Sequence, residues 1–285
     1  MQERYADWWV DLPEEPVGPN GQPQPGWRTF FTECPDPDFE AIPENLQITD
    51  DALVWPGRRN APHDDAPEGA HICRAFDWIE PEGVRVVVLG QNPYPAISSA
   101  TGRAFEDGTP DAADEALRPA LRNLGLSALD LHGAACPPGF CHSPAARAAA
   151  IRDRFDALAG QGVLCLNASW TFTKKKSLQA PADDHPGAHR AMWKPVTEHL
   201  LRKIADRPNC VVVFLLFGRD AQEVAVDLDL PRRDSVTVVE HTHPTAPNNG
   251  YFGNVNPFEK VNDALQDLEQ APITWWVVPQ NADAP

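Results

Sequence analysis

"VRVVVLGQNPYPAISSATGRAF", residues 84–105, decides the fold. Four valines and a leucine surround a single arginine, so successive positions are apolar and both faces of the run must be covered. That pattern marks a strand inside a parallel sheet rather than the alternating strand of a half-exposed one. Gly90 and the prolines at 93 and 95 then end it abruptly. A strand of this kind needs parallel neighbours and helices on both sides, and the rest of the chain supplies them.

Three further β-rich runs come later in the chain, at 163–166, 211–217 and 237–240. Between and after them lie the helix-like segments "DEALRPALRNLGLSALD", "SPAARAAAIRDRFDALAG", "AHRAMWKPVTEHLLRKIA", "RDAQEVAVDL" and "NPFEKVNDALQDLEQ". Ser143 before Pro144 suits the start of the second. The expected fold class is α/β: a three-layer α/β/α sandwich on a four-stranded, mainly parallel sheet. In such folds ligands sit beyond the carboxyl ends of the strands. The four exits read Gly90-Gln91-Asn92-Pro93-Tyr94, Asn167-Ala168-Ser169, Gly218-Arg219-Asp220 and His241-Thr242-His243-Pro244. Polar and glycine-bearing turns thus converge on one rim.

Residues 1–68 have a different texture, rich in Pro, Asp, Glu, Asn and Gly with short apolar islands such as "ADWWV". They are expected to form an extension that packs on the body as an irregular wrap or short helices, partly mobile, with the main domain at 69–285.

The chain of 285 residues is 42% hydrophobic, enough for a sizeable core. No apolar run approaches the roughly eighteen residues of a membrane span, and the first residues carry no leader pattern, so a cytoplasmic, monomeric protein is expected. Cys165 and Cys210 lie in apolar runs and read as small core residues. Cys136 and Cys141, near His132 and His142, match no common ligand spacing, so neither a metal nor a cofactor is expected. A flavodoxin-like or nucleotide-binding module fits the sheet pattern, but no glycine-rich phosphate loop stands after the first strand. The net charge of −17, from 24 basic and 41 acidic residues, argues against nucleic acid unless a local basic patch exists.

The motifs "GQNPYP", "GRAF", "LCLNASWTF", "VVFLLFGRDAQ", "HPTAPNNGYFG", "FEKVNDAL" and "APITWWVVP" resemble, in order and spacing, the uracil-DNA glycosylases of the main bacterial and eukaryotic family. The resemblance spans residues 68–279. It implies an enzyme that flips uracil out of DNA and hydrolyses its N-glycosidic bond in base excision repair, because the target atom is inaccessible within the stack. By the same resemblance Asn167 reads the uracil edge, Phe105 stacks on the base, and Tyr94 blocks a 5-methyl group. Gln91 offers its backbone amide to the base. His243 stabilises the departing anion, with His241 a weaker alternative. Contacts to the DNA backbone fall to Lys174, Lys175, Lys176, His189, Gly218, Arg219 and Thr245. A helix opening after Gly218 is a further place for a phosphate.

Three departures from the family pattern matter. Asn92 stands where the family has the aspartate that orients and activates water, although the related mismatch-specific and thymine-DNA glycosylases carry asparagine there. The loop after His243 is short and lacks the apolar wedge, leaving Pro247 or Tyr251 as substitutes. The proline-rich phosphate-pinching loop is replaced by acidic "DGTPDAADEAL". These changes imply reduced activity and a preference for single-stranded or pre-opened DNA. Two alternatives stay open: a glycosylase-fold binder of uracil DNA or of a protein that does not cleave, and a glycosylase for another modified base.

Overall fold

The structure is a computed structural model; it describes residues 1–19, 21–42, 53–109, 118–131, 147–173, 185–208, 211–230, 233, 235–247 and 250–275. In chain order its helices are α1 (Gln2–Tyr5), α2 (Trp27–Phe30), α3 (Pro119–Leu131), α4 (Arg147–Gly160), α5 (His185–Ala205), α6 (Arg219–Asp227) and α7 (Pro257–Asp267). Its strands are β1 (Val54–Trp55), β2 (Val86–Gly90), β3 (Val163–Asn167), β4 (Phe172–Thr173), β5 (Val212–Phe217) and β6 (Val236–His241).

The central sheet has the order β3-β2-β5-β6 and every pairing in it is parallel. Strands β2, β3 and β5 are buried at every position, as their unbroken apolar runs require. Residues of alternate parity face opposite layers. Val86, Val88, Cys165, Val213, Leu215 and Phe217 pack with α3, α4 and α7. Val87, Leu89, Leu164, Leu166, Phe214 and Leu216 pack with α5 and α6. The architecture is the expected α/β/α sandwich. At the sheet edge β6 is only partly covered, which accounts for its weaker apolar signal.

The N-terminal segment enters the core rather than lying on it. Tyr5, Trp8, Leu12, Trp27, Phe30 and Phe31 belong to the same buried cluster as Trp170 and Trp193. Trp170 stacks on Trp193 at 5.2 Å, and Trp8 meets Trp170 edge-on at 5.1 Å and 87°. Trp27 Nε1 donates to the Ile79 carbonyl (2.6 Å) and Tyr5 to that of Pro56 (3.1 Å). Arg58 bridges Asp7 and Asp11 at 2.5 and 2.6 Å. These partners are distant in sequence, so composition alone did not announce them. The antiparallel pair β1–β4 was also not foreseen; a two-residue strand has no period to read.

Candidate active site

The site is assembled from strand ends. Gly90, closing β2, is paired with Asn167, closing β3. The exits are locked together where the Ala168 amide donates to the Gly90 carbonyl (2.9 Å) and the Ser169 amide to the Gln91 carbonyl (3.0 Å). A Cβ at position 90 would lie 2.8 Å from Asn167 Oδ1 and 3.3 Å from Phe105 Cε2. Glycine therefore lets the amide and the aromatic ring close over one point of the sheet. Phe105 has φ of 67°, a conformation costing an aromatic residue about 1–2 kcal/mol unless its surroundings impose it. They do: the Ala104 amide is held by the Cys165 carbonyl (3.1 Å), and the Phe105 ring packs edge-on to Phe217 at 5.4 Å.

Tyr94 is half-buried. Its hydroxyl donates to the Phe105 carbonyl (3.1 Å), while its own carbonyl accepts from Trp55 Nε1 (2.9 Å). Burial pushes the phenol well above its ordinary value, so it stays protonated and keeps that bond. Asn92 Nδ2 donates to the Pro93 carbonyl (2.9 Å).

The two histidines at the exit of β6 have different fates. His241 is buried, with Nδ1 against the Thr242 carbonyl (3.1 Å) and its ring edge-on to Tyr251 at 4.8 Å. His243 lies two residues beyond the strand, its ring 6.3 Å from that of Phe105. Its Nδ1 accepts the Thr245 amide proton (3.2 Å) and lies 2.8 Å from the Thr245 hydroxyl. A nitrogen that accepts cannot carry the proton of a neutral ring, so Nε2 carries it. Burial lowers the His243 pKa, with Asp220 opposing, which keeps the ring neutral near pH 7. Gly218 (φ 83°) lies so close that a Cβ there would come 3.2 Å from His243 Cβ. Asn123 Nδ2 braces the loop by donating to the Pro244 carbonyl (2.7 Å).

These groups share a cavity of about 330 Å³, lined by Gln91, Asn92, Tyr94, Phe105, Asn167, His243 and Thr245. Its size lies within the range of small-ligand clefts, roughly 300–1,000 Å³. Among the described residues no acidic side chain lines it; the charged ones are Arg103 and Arg118. Arg103 is consumed internally by Asp156 (2.5 Å) and the carbonyls of Arg74 and Asp77 (both 3.3 Å). A second hollow of about 440 Å³ opens beside it, where Gly218, Arg219, Thr245 and Pro247 meet.

With the geometry in place, the family model described as the uracil DNA glycosylase superfamily matches residues 76–268. The chain belongs to that superfamily. Among similar sequences, the uracil-DNA glycosylase of Lactobacillus delbrueckii subsp. bulgaricus is 32% identical over 222 residues, covering 76% of this chain and 83% of the relative. That of Limosilactobacillus fermentum is 34% identical over 212 residues, covering 73% and 79%. The crystal structure of mimivirus UNG Y322L in complex with UGI has a TM-score of 0.61 at 18% identity, covering 94% of this chain and 90% of that one. The mimivirus uracil-DNA glycosylase structure has a TM-score of 0.54 at 20% identity, covering 79% and 75%. At these identities the two structures corroborate the fold alone.

Within this uracil-DNA glycosylase superfamily member, two expectations need correction. His189 is 0% exposed, with Nδ1 and Nε2 at 2.8 and 2.6 Å from the Thr171 and Thr173 hydroxyls, so it braces β4 instead of reaching a phosphate. Tyr251 is buried against Phe217 and His241 and cannot act as a wedge, whereas its neighbour Phe252 is 49% exposed. Gln91 lines the cavity, and its side-chain Nε2 donates to Asp220, which pairs with Arg190 at 2.8 Å. Lys174, Lys175 and Lys176, the cysteines at 136, 141 and 210, Ser143 and residues 110–117 of the acidic loop lie outside the described residues. Arg118, the residue after that loop, was missed; its place before the helix-opening Pro119 was the available signal.

Proposed function

We propose that this chain excises uracil from DNA and that Asn92 makes it slow. In this reading the extruded base enters the cavity, stacks on Phe105 and presents its O4 and N3–H edge to the Asn167 amide, which has one acceptor and one donor side. Tyr94 closes the space a 5-methyl group needs. As the C1′–N1 bond breaks, its electron pair passes to the base, and Nε2–H of neutral His243 donates to O2 of the forming uracil anion. A preorganised donor of this kind is worth about 3 kcal/mol. Water adds to C1′ and gives up its proton to solvent, and the departing base takes a proton back. Asn92 spends its Nδ2 on Pro93, leaving an oxygen that can orient water but not ionise. Absence of a general base typically costs about 10²–10⁴ in rate.

The observation that carries this reading is the meeting of Tyr94, Phe105, Asn167 and His243 around one cavity at the strand ends. The test is uracil release from single- and double-stranded oligonucleotides by wild type, Asn92→Asp and Asn167→Ala. Wild type is expected to be slow and to favour single strands, Asn92→Asp to be faster, and Asn167→Ala to be inactive. An Asn92→Asp variant no faster than wild type rejects the role given to position 92. The lack of any acidic side chain on the described cavity wall favours one second reading, a non-cleaving uracil reader. Tight uracil-DNA binding without abasic product would select it.

A further inference from the structure

Tyr94 is held from behind by a residue of the N-terminal segment that lies outside the cavity wall. Trp55, in β1, is buried, and its Nε1–H donates to the Tyr94 carbonyl across 2.9 Å from 39 positions earlier in the chain. Behind the Tyr94 ring lies a small apolar cluster of Trp55, Ala100 and Phe172, with Ile97 and Tyr94 itself packed on it. Trp55 pairs with Phe172 across the β1–β4 ladder, their rings 5.3 Å apart at 52°. The stretch bearing Trp55 is anchored in turn by residues before it. The Tyr5 hydroxyl donates to the Pro56 carbonyl (3.1 Å), and Arg58 bridges to Asp7 and Asp11.

The two bonds on Tyr94 constrain different parts of it. Its hydroxyl, on the Phe105 carbonyl, ties the tip of the ring to another cavity residue. Trp55 fixes the main chain from which the ring projects. A steric gate rejects a methyl group only if the backbone that carries it cannot yield. Without the indole donor, the Tyr94 carbonyl faces an apolar cluster with its hydrogen bond lost. Such a group turns toward water and carries its side chain with it.

We propose that Trp55 is a positioning residue for base selection: by pinning the Tyr94 main chain it keeps the ring in the space a 5-methyl group needs. The N-terminal segment thereby takes part in distinguishing uracil from thymine. This deepens the reading of the cavity as a uracil site and rests on it. Trp55 touches no base and acts through Tyr94.

The test is equilibrium binding, by the full chain, of single-stranded oligonucleotides carrying a non-cleavable 2′-deoxyuridine analogue or its 5-methyl counterpart. Wild type is expected to prefer the unmethylated strand at least about tenfold. Trp55→Phe removes the donor and keeps an aromatic ring; it should shrink that preference about threefold or more, mainly by admitting the methylated strand. In a Tyr94→Ala background the same substitution should leave the preference unchanged. A Trp55→Phe protein that loses affinity for both strands equally, with the preference intact, overturns the proposal, because a purely structural role does that. So does a further loss of preference in the Tyr94→Ala background. Should Trp55→Phe fail to fold, benzothienylalanine at position 55 keeps the shape of the indole and replaces its N–H by sulfur. Full discrimination by that protein also overturns the proposal, and a reduced preference supports it. A wild type that does not distinguish the two strands instead rejects the underlying site reading.

Discussion

The main-chain amide of Thr245 donates to Nδ1 of His243 across 3.2 Å, and that bond decides which ring nitrogen carries a proton. With Nδ1 accepting, Nε2–H is the donor available to chemistry. Burial lowers this pKa below the ordinary 6.5. The single-turnover excision rate should therefore be flat from about pH 7 upward. It should fall up to tenfold per pH unit once the pH drops below the lowered pKa, since protonation of Nδ1 sets two N–H groups against each other. Stability moves in the same direction. The folded ring takes up a proton less readily than the unfolded one, so its contribution is full above pH 6.5 and lost as pH falls toward the folded value. A rate that rises on acidification through this range contradicts the tautomer.

Gly218→Ala should displace His243. The substitution puts a Cβ at 3.2 Å from His243 Cβ on a backbone with φ of 83°. The left-handed conformation alone costs about 1–2 kcal/mol. We expect a Tm several degrees lower and excision reduced at least about tenfold, with binding of uracil DNA less affected, as single-turnover kinetics beside anisotropy will record.

Tyr94→Ala should open the gate. The ring is held by its own hydroxyl on the Phe105 carbonyl and by Trp55 on its backbone, so truncation removes bulk without freeing the turn. One methyl group in a tight pocket is worth about 1–3 kcal/mol of discrimination. Thymine release should become measurable while uracil release falls, giving a uracil-to-thymine preference at least about tenfold smaller.

Trp8→Ala tests the N-terminal segment as core. Trp8 is buried among Phe31, Trp170 and Trp193, and truncating such an indole costs about 3–5 kcal/mol. Denaturant unfolding should show a loss of that size, and a loss below about 1 kcal/mol would remove residues 1–31 from the core.

The sequence by itself determined the sheet and its rim. Strands β2, β3 and β5 are unbroken apolar runs, and the residues at each exit are local chemistry legible in order along the chain: the turn at Asn92 and Tyr94, the amide at Asn167, the glycine at 218. His243 was legible for the same reason, standing just past a strand end. Tertiary structure alone decided the rest, because those facts are contacts between residues far apart in sequence. It drew Trp8 and Trp27 into the core, turned His189 and Tyr251 inward, and chose the His243 tautomer through Thr245. It also showed that Gly90 must be small for Asn167 and Phe105 to meet, and it set Arg118 on the cavity wall beside a stretch that reads as acidic. Periodicity reports which face of an element is apolar; it carries no information about which distant side chain will fill, brace or open the space that face encloses.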